Sequence, residues 1–180
     1  VQGKAMVEAA LEINHWCAGE VMYQGTDMRT GSALEIYRSG VGRCGEEAVF
    51  VVNVMRSAGI PARPVYVPRW SHCDDNHAWV EVWCDGDWHY LGACEPEAVL
   101  DKGWFTNAAS RAMMIGSRWY DRAMPDEKVI GKDGMNRIIN LLGKYAKTRW
   151  ITITVEDLDG TPAAGAKVRA EVMNLSLIHI

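Results

Sequence analysis

The chain has 180 residues, of which 48% are hydrophobic and 23% charged, and its formal net charge is −4. These values are ordinary for a globular protein and allow one domain with a sizeable core and part of a second. The small negative charge and the lack of a Lys/Arg-rich run give no electrostatic reason to expect nucleic acid as a partner. No stretch is apolar and long enough to cross a bilayer, so we expect no membrane span.

The first third of the chain predicts helices. Residues 5–22 carry apolar side chains along one side, residues 24–32 are polar and predict a loop, and residues 32–37 predict a short helical turn. Residues 45–58 are rich in valine, which favours a strand. We nevertheless predict a helix there, because the segment has acidic residues in its first turn and stops at Gly59-Ile60-Pro61. Apolar residues all round this helix predict burial on every side.

A hairpin follows. Residues 62–67 predict a strand, residues 68–76 a polar loop, and residues 77–84 and 87–91 two strands joined by a tight turn at Asp85-Gly86. Beyond it, residues 104–123 predict a helix with methionines and a tryptophan on its apolar side. Residues 135–146 predict either a short helix or an irregular segment.

The pattern changes near Trp150, where residues 151–155 and 166–172 alternate around a turn. This pattern predicts the first hairpin of a β-sandwich that is cut short, and hence two domains, residues 1–148 and 149–180. We therefore expect the chain to be a fragment. Its last residues, 174–180, lose the alternation and resemble translated adaptor sequence.

Cys44 and His77 are the strongest candidates for catalysis. Cys44 lies between Gly42-Arg43 and Gly45 at the start of the predicted 45–58 helix, and His77 opens a predicted strand. The free backbone N–H groups of a helix start favour a thiolate and could hold an oxyanion, and a neighbouring imidazole can take the thiol proton. The flanking glycines, Gly42 and Gly45, would let the substrate backbone approach. His15, His72 and His89 are expected to be dispensable.

A third group should orient the imidazole. Pairing from the turn at Asp85-Gly86 places Cys94 opposite His77 and turns Glu95 to the other face. One bulge within residues 92–94 would bring Glu95 opposite His77, about 3 Å from a ring nitrogen. Glu95 is the predicted third member, with Asp74 and Asp75 as rivals.

Several motifs share one pattern with a known family. They are, in order, Asp27-Met28-Arg29-Thr30, Gly42-Arg43-Cys44-Gly45, Ala58-Gly59-Ile60-Pro61-Ala62-Arg63, His77-Ala78-Trp79-Val80-Glu81-Val82 and Glu95-Pro96. Together they resemble the transglutaminase-like superfamily over roughly residues 5–120. The resemblance implies an α+β, papain-like core in which the nucleophile helix packs on an antiparallel sheet. It also implies a triad of Cys44, His77 and Glu95, although the family's usual acid falls where this chain has Gly92.

The resemblance implies an activity as well. Members of the superfamily hydrolyse or crosslink amides through a thioester at the cysteine. Bacterial members with this architecture look like peptidases or amidases, so we expect a thiol-dependent amide hydrolase acting on peptide or protein, with crosslinking as the alternative. We expect no cofactor, and no acidic loop has the spacing of a calcium site. The resemblance favours a periplasmic or cell-surface protein, with glycan as a further partner of downstream domains.

Two other classes of function remain open. The cysteines and histidines include Cys73, Cys84 and Cys94 and offer soft metal ligands, yet no Cys-x-x-Cys or His-x-x-x-His spacing occurs, so no zinc site is expected. An inactive cleft lined by Trp70, Trp79 and Trp88 could instead hold peptide or glycan. The five cysteines form an odd set without regular spacing, so at least one thiol is expected to be free.

Overall fold

The computed structural model describes residues 1–25, 31–120 and 128–168, and the chain divides into two compact units, Val1–Ala146 and Lys147–Ile180. The Asp27–Thr30 motif and the segment 174–180 lie outside the described residues. No helix within the described ranges is long and apolar enough to cross a membrane.

The first unit mixes helices with two sheets. Its helices are α1 (Met6–Glu20), α2 (Ala33–Ser39), α3 (Cys44–Ser57), α4 (Thr106–Ala109) and α5 (Leu142–Tyr145). Its strands are β1 (Met22–Tyr23), β2 (Val41–Gly42), β3 (Ala62–Val67), β4 (His77–Cys84), β5 (Asp87–Leu91), β6 (Gly116–Tyr120), β7 (Lys128–Asp133) and β8 (Asn136–Asn140). β1 and β2 form a short parallel pair, and the other six form an antiparallel sheet in the order β5-β4-β3-β6-β8-β7. The predicted α+β class is confirmed.

Helix α3 confirms the choice of helix over strand for residues 45–58. Glycine ends it, because Gly59 adopts a positive φ of 83° and the N–H of Ile60 then donates to the carbonyl of Met55 at 2.9 Å. The helix is buried along most of its length, but Asn53, Arg56 and Ser57 are exposed, so the prediction of burial on every side is wrong near its end. Tertiary packing buries the apolar residues of this helix, and the free energy of that burial outweighs the intrinsic preference of valine for a strand.

Strand β4 is buried on both faces and divides the core in two. Val80 and Val82 pack with α1 and α3 on one face, whereas Trp79 packs with Phe105 and Ile139 on the other. The sheet therefore has a helical layer on one side and a cover made by the later part of the unit on the other. His77 lies at the first position of this strand, opposite Val67 of β3.

A buried polar network joins the sheet to α5. Arg63, which is fully buried, donates to Glu81 at 2.6 Å, and the hydroxyl of Tyr145 donates to the other oxygen of Glu81 at 2.7 Å. The indole of Trp79 in turn donates to the oxygen of Tyr145 at 2.9 Å. Because buried charges are costly without partners, this network stabilises the end of the unit only as a complete set.

The prediction of a helix over residues 104–123 is wrong. In residues 104–120, which the structure describes, helix is limited to α4, and the segment then extends into β6, where Gly116 pairs with Tyr66 and Ser117 with Val65. A Cβ at Gly116 would lie 3.3 Å from the carbonyl oxygen of Ile139, so this glycine permits a close approach to β8. The apolar residues of this segment are spaced with the period of a helix, but the pairing of β6 with β3 decides its structure. Residues 135–146 form β8 and α5 rather than one helix.

The second unit is described as far as residue 168. Its turn is confirmed: the Asp157 carboxylate accepts from the N–H of Thr161 at 2.9 Å, and the N–H of Ala163 donates to the carbonyl of Val155 at 2.9 Å. Within the described part of this unit the pairing is limited to a bridge between Glu156 and Pro162, and residues 151–155 form no strand. The truncated β-sandwich stays a prediction.

The buried network generates a test of stability. Glu81→Gln should lower the free energy of unfolding by about 3 kcal/mol or more, because Arg63 would remain buried beside a neutral amide. Denaturant unfolding measures this loss. Glu8→Gln, which removes a surface carboxylate 2.8 Å from Lys4, is the control and should change nothing measurable. Equal unfolding midpoints for the two variants would contradict the structural role of the network.

Candidate active site

The first residue of α3 is Cys44, and its neighbours fix the helix start. The Glu46 carboxylate accepts from the backbone N–H of Arg43 at 2.7 Å. A Cβ at Gly42 would lie 2.9 Å from the Cβ of Glu46, whereas one at Gly45 would meet nothing within 4 Å. The side chain of Glu46 therefore takes up the space beside Gly42. This corrects the prediction that Gly42, like Gly45, lets a substrate backbone approach. Gly45 remains open to an approaching chain.

Cys44 and His77 line the same cavity, which has a volume of about 250 Å³. One side of it comes from the start of α3 and the other from the end of β3 and the start of β4. Its lining residues are Arg43, Cys44, Gly45, Tyr66, Val67, Pro68, Asn76, His77 and Ala78. The structure thus brings together the two residues that the sequence singled out.

The hairpin confirms the predicted pairing and replaces the predicted bulge. Val80 pairs with Leu91 and Cys84 with Asp87, as a two-residue turn requires. The strand ends at Leu91, and a tight turn follows in which the N–H of Glu95 donates to the carbonyl of Gly92 at 3.2 Å. Cys94 adopts a positive φ of 56° in this turn, which we call the 92–95 turn. A reversal of the chain, rather than one extra residue in a ladder, carries Glu95 back towards β4.

Glu95 lies against the imidazole of His77. Its Oε2 atom is 3.8 Å from Nε2 of His77, and its Oε1 atom accepts from the indole N–H of Trp104 at 2.9 Å. The distance is longer than the predicted 3 Å and longer than a hydrogen bond. Oε2 of Glu95 and Nε2 of His77 are both buried, and among the described residues neither has a hydrogen-bond partner, so the two atoms face each other unpaired.

The rival acids, Asp74 and Asp75, have hydrogen-bond partners other than the imidazole. Asp74 is exposed and pairs with Arg69 at 2.7 Å, and the Asp75 carboxylate accepts from the N–H of Asn76 at 2.7 Å. These contacts are with groups of the loop rather than with the imidazole, although the charge of Asp75 acts to raise the pKa of His77.

Gly92 makes the position of Glu95 possible. A Cβ built at Gly92 would lie 2.8 Å from the Cβ of Glu95 and would also collide with its Oε2 atom. Gly92 occupies the sequence position at which the resembling family carries its acid. The Glu95 side chain therefore reaches back into the space that a side chain at position 92 would need.

Aromatic rings enclose His77. Trp104 and Phe105 have ring centroids 4.6 and 5.0 Å from the imidazole, and Trp70 and Trp79 lie at 6.2 and 6.0 Å. Trp70 and Trp79 are buried, as in a core, while Trp104 is exposed above the imidazole. Phe105 was missed as a site residue because the sequence placed it inside a long helix that does not form.

Burial sets the protonation of the pair. It lowers the pKa of His77 to about 4, against a smaller opposing effect of Asp75. Burial also raises the pKa of the Cys44 thiol, although hydrogen bonds from the backbone of Ala78 and Gly45 act in the opposite direction. The expected thiolate-stabilising groups are present, but desolvation outweighs them. The site therefore favours a neutral thiol and a neutral imidazole at neutral pH.

A second cavity, of about 470 Å³, lies on another side of Glu95 and is lined also by Glu47 and Cys94. Burial is the main cause that raises the pKa of Glu47 to about 8, and the charges of Glu95 and Glu46 add to it. Burial likewise raises the pKa of Cys94. Glu47 was read in the sequence only as an acid of the first helical turn, so its burial beside the candidate site was not foreseen.

The remaining candidates do not join the site. His89 pairs with Asp101 at 2.6 Å, and His15 and His72 are exposed. All five cysteines are free thiols. Across the described ranges, no group of three or more His, Cys, Asp or Glu side chains is placed to hold a metal ion.

The family follows from a match to a family model. The model of the transglutaminase-like superfamily matches residues 1–93, which include Cys44 and His77 and end before Glu95. The chain belongs to the transglutaminase-like superfamily, and its α+β core has the papain-like arrangement that the motifs implied. Membership of this superfamily supports a cysteine-dependent activity of the hydrolase or transferase type.

Two solved structures resemble the chain. A candidate cysteine protease from Cytophaga hutchinsonii is 20% identical, with a TM-score of 0.42 over 73% of this chain and 51% of its own. A candidate protease from Parabacteroides distasonis ATCC 8503 is 18% identical, with a TM-score of 0.48 over 64% of this chain and 23% of its own. The chain thus spans about half of the first protein and about a quarter of the second. No curated protein gives a significant match.

The buried carboxyl of Glu47 predicts a pH effect on stability. Its pKa is about 8 in the folded chain and 4.5 as the ordinary value, so the folded state binds the extra proton between these limits. Stability that depends on this group is therefore present at low pH and is lost as the pH rises towards 8. Glu47→Gln keeps the neutral form and should be more stable than the parent at pH 8, by about 1 kcal/mol or more, with little difference near pH 4. Thermal unfolding at both pH values measures this, and a gain that is equal at both would contradict the assignment.

Proposed function

We propose that the protein is a thiol-dependent amide hydrolase, a peptidase or amidase, in which Cys44, His77 and Glu95 form the catalytic triad. The single observation that carries the proposal is that a thiol at a helix start and a buried imidazole line one cavity, with a carboxylate behind the imidazole. Nucleophile, base and orienting acid in this order are the arrangement that acyl transfer through a thioester requires.

In the first half-reaction, the sulfur of Cys44 attacks the carbonyl carbon of the amide while its proton passes to His77. Because Nε2 of His77 faces Glu95, the other ring nitrogen, Nδ1, is the one left to take this proton. The tetrahedral intermediate collapses when the carbon–nitrogen bond breaks. The leaving amine receives the proton from His77, and the acyl group stays on Cys44 as a thioester.

In the second half-reaction, water replaces the amine. His77 takes a proton from the water as its oxygen attacks the thioester carbon. The carbon–sulfur bond then breaks, the sulfur of Cys44 recovers the proton, and the product leaves as a carboxylic acid. Glu95 stabilises the imidazolium that forms in each half-reaction, since its buried Oε2 atom has no competing hydrogen bond within the described part of the chain.

The backbone supports the charges that develop on sulfur and oxygen. The backbone of Gly45 and Ala78 already hydrogen-bonds Cys44. The first-turn N–H groups of a helix lack intrahelical acceptors, so those of α3 can hold the oxyanion. Since the free pair is neutral, proton transfer accompanies attack rather than preceding it. The cavity is open beside Gly45, which suits an extended peptide or protein chain as substrate.

Hydrolysis by Cys44 can be tested with a peptide library in H₂¹⁸O. We expect cleavage with one ¹⁸O in each new carboxylate, because water attacks the thioester. Cys44→Ala should abolish cleavage, whereas Cys73→Ala, which removes an exposed thiol away from the cavity, should retain it. Turnover by Cys44→Ala would overturn the proposal. Adducts with an added primary amine, formed in place of ¹⁸O products, would show crosslinking chemistry instead.

The place of the acid can be tested by moving it. Glu95→Gln should lower kcat about 100-fold or more, because a neutral amide does not stabilise the imidazolium. Glu95→Ala should lose at least as much and also empty the space beside Gly92. Adding Gly92→Asp to Glu95→Ala should then recover about tenfold or more of the loss, since the new carboxylate enters the vacated space. Unchanged kcat in Glu95→Gln would remove Glu95 from the triad.

A further inference from the structure

Asn14 is a buried polar residue on α1, distant in sequence from the proposed triad. It is 1% exposed, and both ends of its amide are used. Its Nδ2 donates to the carbonyl of Gly92 at 2.9 Å, and its Oδ1 accepts from the N–H of Cys94 at 3.0 Å. Both bonds go to the 92–95 turn, which presents Glu95 to His77.

We infer that Asn14 is a positioning residue that holds the 92–95 turn and thereby keeps the Glu95 carboxylate against His77. The inference rests on the proposed triad and deepens it. It assigns to the first helix a part in the geometry of the site, although that helix contributes none of the three reacting side chains.

The turn needs an external anchor. Its own closing bond, from the N–H of Glu95 to the carbonyl of Gly92, is 3.2 Å long, at the far end of the usual range. Cys94 has a positive φ of 56°, a conformation that a residue with a side chain adopts only where its surroundings impose it. The two bonds from Asn14 hold the peptide units on either side of Ala93, and the second of these units carries the N–H of Cys94, so they fix the backbone that leads into the strained residue.

The carboxylate is held from two directions. Asn14 fixes the backbone of the turn from the core, and Trp104 holds Oε1 of Glu95 from the exposed side. Oε2 of Glu95 is then left to face Nε2 of His77. Trp104 is 63% exposed, whereas Asn14 is packed in the core, so the core contact is the one that can resist displacement. A shift of about 1 Å in such a group can cost about 100-fold in rate.

Asn14 lines neither the 250 Å³ cavity nor the 470 Å³ cavity. Its loss should therefore change the chemical step and leave substrate binding unchanged. Asn14→Leu, which keeps the approximate volume and removes both bonds, should lower kcat about tenfold or more, with KM within about threefold of the parent.

The experiment measures kcat and KM for the best-cleaved library peptide with the full chain. Ser117→Ala is the matched control, because it removes another buried bond to a backbone carbonyl, 2.6 Å to Pro64, away from the site. Both variants should lose some thermal stability, but the control should keep its kcat. If Asn14→Leu does not fold, Asn14→Ala replaces it, since the smaller side chain leaves space for water at both backbone groups.

A double-mutant cycle with Glu95→Gln decides whether Asn14 acts through Glu95. If it does, Asn14→Leu should reduce kcat little further in the Glu95→Gln background. Equal reductions in both backgrounds would show a general structural effect and overturn the inference. A parent-like kcat in Asn14→Leu, or unfolding of both Asn14 variants, would also overturn it while the triad stands. Unchanged kcat in Glu95→Gln would instead remove the triad proposal itself.

Discussion

The packing of α3 against the sheet is the contact on which the rest of the first unit depends. Val51 and Val52 of the helix and Val80 and Val82 of β4 belong to one buried cluster. Burying each such side chain contributes about 1.5–3 kcal/mol. This contact fixes the start of the helix relative to the start of the strand, and with it the positions of Cys44 and His77. It also offsets the cost of holding ionisable groups away from water beside them.

The same burial governs the electrostatics of the site. The pKa of His77 is lowered to about 4 and that of the Cys44 thiol is raised. Both groups are therefore neutral at neutral pH, and they form no ion pair. In the proposed mechanism, charge forms only when a substrate accepts the sulfur, and Glu95 and the helix start then stabilise it. Groups that are already in place cost little reorganisation at that moment, which is how such sites gain rate.

Much of the fold and part of the site could be predicted from local signals. Glycine stops, acidic first turns and period-two alternation located the first three helices and strands β3 to β5, because each of these effects acts within a few residues, whereas the short pair β1 and β2 was not predicted. The 92–95 turn could not be foreseen, since it depends on two bonds from Asn14 in the first helix. The helix predicted over 104–123 failed for the same reason: β6 forms through pairing with β3, which no local pattern announces. For that reason the contact between Trp104 and His77 could not be predicted either.

Glu95, the proposed third member of the triad, comes three positions after Gly92 in the sequence. In the structure, its side chain occupies the space beside Gly92. In the sequence, position 92 holds no acid, and the match to the family model stops at residue 93. A classification that asks only for an acid at position 92 would therefore leave the proposed triad of this domain without its third member. In three dimensions the side chain of Glu95 fills the volume next to Gly92 and faces the imidazole. Domains of this kind are better sorted by what stands within reach of the histidine than by which column it came from.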